Sequence, residues 1–412
     1  MKRGTGIGGI FFSANDPVAL RAWYNTRVQR TRSTPSPLRT PPTRSALGRF
    51  ETMEGSTREL MRFVELVFVA ATVLLPAQIG SPAPAAGQVG FRQFQLPQSD
   101  RGRKVEVAVW YPTTSKRAAT VVGQNVIFVG QLVRKDAPIA AGRHSLVMLS
   151  HGYSGNWTNQ SWLAEALAHR GYVVAAVNHP GTTTLDMDVA AGAQMWERPR
   201  DVSRAIDALT HDPPWSDVVS TGSVAAIGHS FGGWTVIELA GGRFDPTLFE
   251  ADCKNHEILA SCQVYRRLGA GKDTSARSAL GQNLRDPRIQ AVISLDLGLA
   301  RGFDPESLAH VNVPVLVIGA AAPNPQVPAE LESRHLFELL PVASARYVEI
   351  AGAAHFSFLP ICRPGAAALL AEDSPEDVVV CLDREGASRE TVHRQTASEI
   401  IHFLAATVPP YL

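Results

Sequence analysis

Cysteine is scarce in this chain: four in 412 residues. No C-x-x-C and no H-E-x-x-H occurs, so there is no recognisable zinc or dithiol motif and no cofactor is implied. Charge of one sign is lacking too. Lys and Arg number 39 against 38 Asp and Glu, for a net charge of +1. That balance offers a polyanion nothing to hold, so nucleic acid is not an expected partner. Long apolar runs are missing as well. The most apolar early stretch, residues 64–75, is about a dozen residues and too short to span a bilayer stably. At 45% apolar and 19% charged residues, the chain is neither disordered throughout, nor collagen-like, nor a coiled coil.

The charge that is present is unevenly spread. Residues 1–50 hold nine Lys or Arg and one acid, Asp16, leaving 30 basic and 37 acidic groups in the rest. Residues 31–46, TRSTPSPLRTPPTRSA, keep no hydrophobic period and are expected to be disordered. The string GTGIGG at 4–9 matches G-x-G-x-x-G, but no strand can precede it, so it is expected to be a loose terminus. From Met61 a short basic segment, the 64–75 apolar run and an A-x-A site at Ala83 and Ala85 describe a secretory signal peptide. The expected organisation is a basic leader over 1–60, read as an extended or mis-assigned start, a signal and cleavage region over 61–87, and one folded domain over 88–412. The protein would then be secreted or periplasmic. A transit peptide, or a buried N-terminal helix in a cytoplasmic protein, are the alternatives. Four cysteines in two local pairs, Cys253 with Cys262 and Cys362 with Cys381, suit the secreted reading, although four allow three pairings.

From about residue 88 two periods alternate. KVEVAVWYP (104–112) puts Val105, Val107 and Val109 on one face of a strand. SLVMLSHG (145–152), YVVAAVNHPG (172–181), SVAAIGHS (223–230), IQAVISLDLG (289–298), VPVLVIGAA (313–321) and SARYVEIAGAAH (344–355) are further strands, several apolar enough for burial on both faces. Between them NQSWLAEALAHRG (159–171), RPRDVSRAIDALTHD (198–212), the stretch from Phe231 and residues 390–408 have helical periodicity. Strands alternating with helices predict an α/β fold, a mostly parallel sheet with helices on both faces and sites at the carboxyl ends of its strands. Residues 240–288 read as a long polar loop, a surface insertion or small cap.

Gly228-His229-Ser230-Phe231-Gly232 is a G-x-S-x-G string with a strand before it and a helix after it. Such a turn strains the backbone, demands small neighbours and presents the Ser230 hydroxyl above the sheet. A hydroxyl needs a base, and the chain order for this arrangement is Ser, acid, His. His355, directly after the 344–350 strand, is the candidate base. Asp296, after ISL, is the candidate acid. The next strand end, GAAAPNPQ, has only Ala, Pro323 and Asn324 where a carboxylate would otherwise stand, and Asp304 and Glu330 are fallbacks. Backbone N–H groups of Phe231 and Tyr153 are the candidate oxyanion donors, with His151 as a loop-orienting residue. Tyr153, Trp157 and Trp234 are candidate walls of an apolar pocket, with ordinary core packing as the alternative.

SHGYSGNW, RGYVVAAVNHPG, GHSFGGWT, DPRIQAVISLDLG, VPVLVIG and GAAHFSF together resemble the α/β-hydrolase superfamily. They are most similar to its dienelactone-hydrolase-like branch, which includes platelet-activating-factor acetylhydrolases. The resemblance runs from about 145 to 357. It implies an α/β-hydrolase fold and a serine esterase acting on a small-molecule or lipid-like ester. Polyester-degrading members share the G-Y start but place the acid one strand later, and dienelactone hydrolases proper use cysteine where this chain has Ser230. Amide or peptide hydrolysis on the same scaffold, and a catalytically silent binding module, are the competing readings.

Overall fold

The computed structural model describes residues 88–97 and 102–410. The leader, the signal region with its cleavage site and the GTGIGG string lie outside the described residues. The chain runs β1 (Gln88–Gln95), β2 (Glu106–Thr113), β3 (Thr120–Val122), β4 (Gln131–Lys135), β5 (His144–Ser150), α1 (Ser161–Ala168), β6 (Val173–Asn178), α2 (Glu197–His211), β7 (Val219–His229) and α3 (Phe231–Ala240). Three short helices follow, α4 (Pro246–Cys253), α5 (Ala260–Leu268) and α6 (Thr274–Leu280). Then come β8 (Ile289–Leu295), β9 (Val315–Ala320), α7 (Ser333–Leu339), β10 (Ala345–Ile350), α8 (Ala366–Asp373) and α9 (Arg389–Thr407).

The strands form one sheet in the order β10-β9-β8-β7-β5-β6-β2-β1-β4-β3. From β6 to β10 every pairing is parallel, and β2 joins antiparallel. The strand period of two divides the core. Val107, Val109 and Met148 face one layer, with Val202, Ile206 and Leu209 of α2 and Trp234 of α3. Ala108, Trp110, Val147 and Leu149 face the other, with Leu163 and Leu167 of α1 and Ile400 and Leu404 of α9. Each fully buried side chain of this size contributes roughly 1.5–3 kcal/mol. The central strands are apolar on both faces because both faces are covered, as the sequence pattern predicts.

Two expectations change. Residues 240–288 are not a loop but α4, α5 and α6. The helices are short, of 8, 9 and 7 residues, and Asp245 and Asp273 begin two of them by accepting hydrogen bonds from Thr247 N–H and Ala276 N–H. Phe249, Leu259, Tyr265 and Leu268 join the main core, so the insertion is packed rather than loose. The sheet is also larger than the sequence indicates, because β1, β3 and β4 extend it beyond β2. Both expected cystines form, Cys253–Cys262 and Cys362–Cys381, with Cα separations of 5.6 and 5.7 Å. The first bridges the end of α4 to α5. The second closes the segment after His355 over a small separate core of Phe128, Leu359, Leu370 and Val380.

Candidate active site

The carboxyl ends of β7, β8 and β10 deliver three side chains to one place. β7 ends at His229, and Ser230 turns the chain into α3 with φ 56° and ψ −118°, a region L-residues rarely occupy. Such a residue costs of order 1–3 kcal/mol and persists only where its surroundings dictate it. Here they do: a Cβ placed on Gly232 would fall on Ser150 O, and one on Gly228 would fall on Gly232 O. The elbow exists because strand and helix touch backbone to backbone, which only glycine permits.

His355 lies in a single 3-10 turn after β10, and its Nε2 is 3.1 Å from Ser230 Oγ. Its Nδ1 is 2.7 Å from Asp296 Oδ2. The carboxylate can only accept, so Nδ1 carries the hydrogen and Nε2 is left to accept from the Ser230 hydroxyl. Asp296 is itself held in the positive-φ region, φ 42°, and its Oδ1 accepts from Ala320 N–H at 2.9 Å. The strand end without an acid thus supplies a backbone donor that orients the acid of its neighbour. All three side chains are buried or nearly so.

The fallback carboxylates, Asn324 and three further histidines that follow Ser230 in the chain are used elsewhere. Asp304 starts a short helix and pairs with Arg243, Glu330 is exposed, and Asn324 Oδ1 accepts from Gln326 N–H within its own turn. His256 contacts Asp252, His310 bonds Glu306 O, and His393 stacks on Trp162 at 3.8 Å.

The loop after β5 lies against the elbow. A Cβ on Gly152 would stand 3.2 Å from Ser230 Cβ, so Tyr153 follows a residue in direct contact with the serine. Phe231, first residue of α3, has an N–H with no intrahelical acceptor. Tyr153 is buried, with the Arg267 guanidinium of α5 against its hydroxyl. Trp157 packs its ring on Phe91 and Trp110, at 5.5 and 5.6 Å between centroids. Trp234 has no exposed surface and packs on Phe231 and Phe244. The structure therefore gives both tryptophans core partners, and for Trp234 nothing of the ring is left to line open space.

Three residues that sequence reasoning passed over support the site. His229 donates from Nε2 to the His355 carbonyl at 2.9 Å, tying the nucleophile's neighbour to the base's backbone. Burial, then the nearby His355, pushes its pKa down to about 3, so it is a neutral donor near neutral pH. Glu332 is buried and accepts from Ala300 N–H at 2.8 Å, pinning the loop that leaves Asp296; burial raises its carboxyl to about 7. Arg198, buried in the first turn of α2, donates to the His151 carbonyl and to Thr235. The adjacency of His229 to Ser230 could have flagged the first. Nothing in a helical period marks the other two.

Similarity to characterised proteins follows the same lines. No family model matches the chain. Cutinase est1 of Thermobifida alba is 32% identical over 104 residues, 25% of this chain and 32% of the relative. Cutinase cut1 of Thermobifida fusca is 26% identical over 189 residues, 45% and 54% of the two chains. Bis(hydroxyethyl) terephthalate hydrolase of Streptomyces coelicolor is 24% identical over 194 residues, 46% and 58%. The matched stretches thus span from about a third to under three fifths of these relatives' lengths. Among solved structures, a ferulic acid esterase from Streptomyces cinnamoneus matches with a TM-score of 0.53 and 20% identity, over 80% of this chain and 92% of that one. That likeness shows the fold, an α/β-hydrolase fold.

Proposed function

We propose that the chain is a serine hydrolase of carboxylic esters, with Ser230 as nucleophile, His355 as base and Asp296 as the acid that orients it. The observation carrying this reading is the continuous hydrogen-bond chain from Ser230 Oγ through His355 to Asp296 at the carboxyl ends of three strands. Ser230 Oγ bonds to the ester carbon while its proton passes to His355 Nε2. The carbonyl π pair moves to oxygen, beside the N–H groups of Phe231 and Tyr153. Collapse expels the alcohol, which takes the proton from His355 and leaves an acyl-enzyme. Water, deprotonated by His355, releases the acid and restores Ser230. Asp296 fixes the tautomer and stabilises the imidazolium throughout.

The names of the relatives, two cutinases and a terephthalate-ester hydrolase, support ester rather than amide substrates. Within the superfamily we place the chain in the dienelactone-hydrolase-like branch with the platelet-activating-factor acetylhydrolases. What favours it is the acid after β8 and the absence of a carboxylate in the 319–326 loop. A panel of p-nitrophenyl esters from acetate to long acyl chains, with ethyl ferulate, bis(hydroxyethyl) terephthalate and matched anilides, tests the reading. Turnover of at least one ester class and none of the anilides is expected. Anilide turnover would move the chain to amide chemistry, and silence on every ester would leave the binding-module reading.

We also propose export. Two cystines and no free thiol are what an oxidising compartment produces, and the segment from Met61 has the layout of a signal. Intact-mass analysis of protein made from the whole chain should show an N-terminus near residues 83–87 and no alkylatable thiol before reduction. Four alkylatable thiols, or a retained Met1, would point to a cytoplasmic enzyme.

A further inference from the structure

The stripe formed by Val202, Ile206 and Leu209 accounts for the buried face of α2, yet Arg198 in its first turn is 1% exposed. Its guanidinium is partnered by neutral groups. Nε donates to Thr235 Oγ1 at 3.0 Å, Nη1 to Thr182 Oγ1 at 2.7 Å, and Nη2 to Ser150 Oγ at 3.4 Å and to the His151 carbonyl. Its Cζ lies 4.2 Å from the centroid of the Phe231 ring. Among the described residues no carboxylate bonds it. Asp201, one turn along, gives its oxygens to Arg103, Arg204 and His179. Asp201 offsets part of the cost of burying this cation through space without bonding it, and Arg103 adds to that cost, whereas apolar packing could fill the same volume at no such cost.

We propose that Arg198 is the positioning residue of the oxyanion hole: it holds the loop carrying Tyr153 against the helix that starts at Phe231. This rests on the reading of Ser230 as nucleophile. The hole takes one donor from each of two separate elements, and Arg198 touches both. On the loop it binds the carbonyl two residues before Tyr153. On α3 it covers the Phe231 ring and bonds Thr235 one turn further on. The planar fork sets the spacing between them, which a flexible ammonium would not do. Burial lowers the Arg198 pKa to about 9, so it stays charged at neutral pH.

His151 extends the device. Its Nδ1 donates to Gly152 O at 2.7 Å, the carbonyl of the peptide whose N–H belongs to Tyr153, and its Nε2 accepts from His179 N–H at 3.1 Å. Both partners demand the same neutral tautomer, and burial followed by the Arg198 charge holds the ring neutral. A carbonyl that accepts a hydrogen bond makes the N–H of the same peptide a stronger donor. When the Oγ–carbon bond forms and the π pair moves to oxygen, the new negative charge falls to the two donors whose segments Arg198 and His151 hold in place. Donors so held need no reorganisation at the moment of reaction.

Arg198→Met and Arg198→Lys, assayed on p-nitrophenyl butyrate beside wild type and Ser230→Ala, test this. Arg198→Met should lower kcat about 10- to 100-fold with KM within about twofold, approaching the loss of one oxyanion donor. It should weaken a boronic acid that forms a tetrahedral adduct by a similar factor. Arg198→Lys, which keeps the charge and loses the fork, should recover part of the loss. Wild-type kcat in Arg198→Met, or a change confined to KM, overturns the proposal. Thr235→Val guards against misfolding: by removing one anchor of the guanidinium it should lower kcat about two- to tenfold. An unfolded Arg198→Met together with a silent Thr235→Val would leave Arg198 a purely structural ion and overturn the proposal. Activity retained by Ser230→Ala would instead remove the reading of the site, whatever the Arg198 variants do.

Discussion

Ser230→Ala should lower ester turnover on the order of 10⁶-fold, the scale seen when a serine nucleophile is removed from a complete triad. The folded state should survive. The hydroxyl's one hydrogen bond in the structure is to His355 Nε2, and alanine bears the same positive φ at the same cost as serine. The close approaches that force the elbow belong to Gly228 and Gly232, which are untouched. A melting temperature within a few degrees of wild type, with no p-nitrophenol release above background, is the expected pair of results. A fluorophosphonate should label wild type on the peptide containing Ser230 and leave the variant unlabelled. Hydrolysis above about one per cent of wild type would mean that another nucleophile acts.

Asp296→Asn should be the next most damaging change, at roughly 10⁴ in kcat. Asparagine keeps the shape and can still accept from Ala320 N–H with its amide oxygen, as Oδ1 does now at 2.9 Å. The amide nitrogen then faces His355 Nδ1 and forces the proton to Nε2, where it can no longer accept from Ser230. The site would be intact in outline and wrong in tautomer. Asn324→Ala, in the loop after β9, should leave kcat near wild type, since its side chain serves only a local turn. Measuring both variants on one soluble ester separates the two strand ends. A near-normal Asp296→Asn with a crippled Asp304 or Glu330 variant would relocate the acid.

The α/β alternation, the elbow and the three residues brought together above it were legible because each follows a local rule. Buried parallel strands are continuous apolar runs, and Gly228 and Gly232 stand where a Cβ would meet backbone. Asp296 was legible by exclusion, from the missing carboxylate one strand later. What could not be read is long-range. β1 and β4 pair across more than forty residues, at Gly90 with Arg134, and nothing local announces that register. The insertion helices are about two turns each, and their buried side chains find partners only in the main core. Arg198, Glu332 and His229 look like surface residues by type and are buried only because a neighbouring element supplies their partners. Trp157 and Trp234 are the converse: proximity in sequence to the loop and the elbow drew attention to rings whose packing partners, Phe91, Trp110 and Phe244, come from elsewhere.

The sheet ends at β10, whose outer edge has no strand beside it among the described residues. An open edge is a template on which a second chain could add a strand. Here Arg346 pairs with Glu399 of α9 at 2.6 Å, and Glu349 accepts from both Arg334 and Tyr347. A strand arriving along β10 would have to displace or desolvate these charges. The segment after Ile350 leads within five residues to His355. The strand that meets solvent at the sheet's edge is thus also the one that sets the imidazole's position, through its six-residue parallel pairing with β9, against a serine two strands further in than that neighbour.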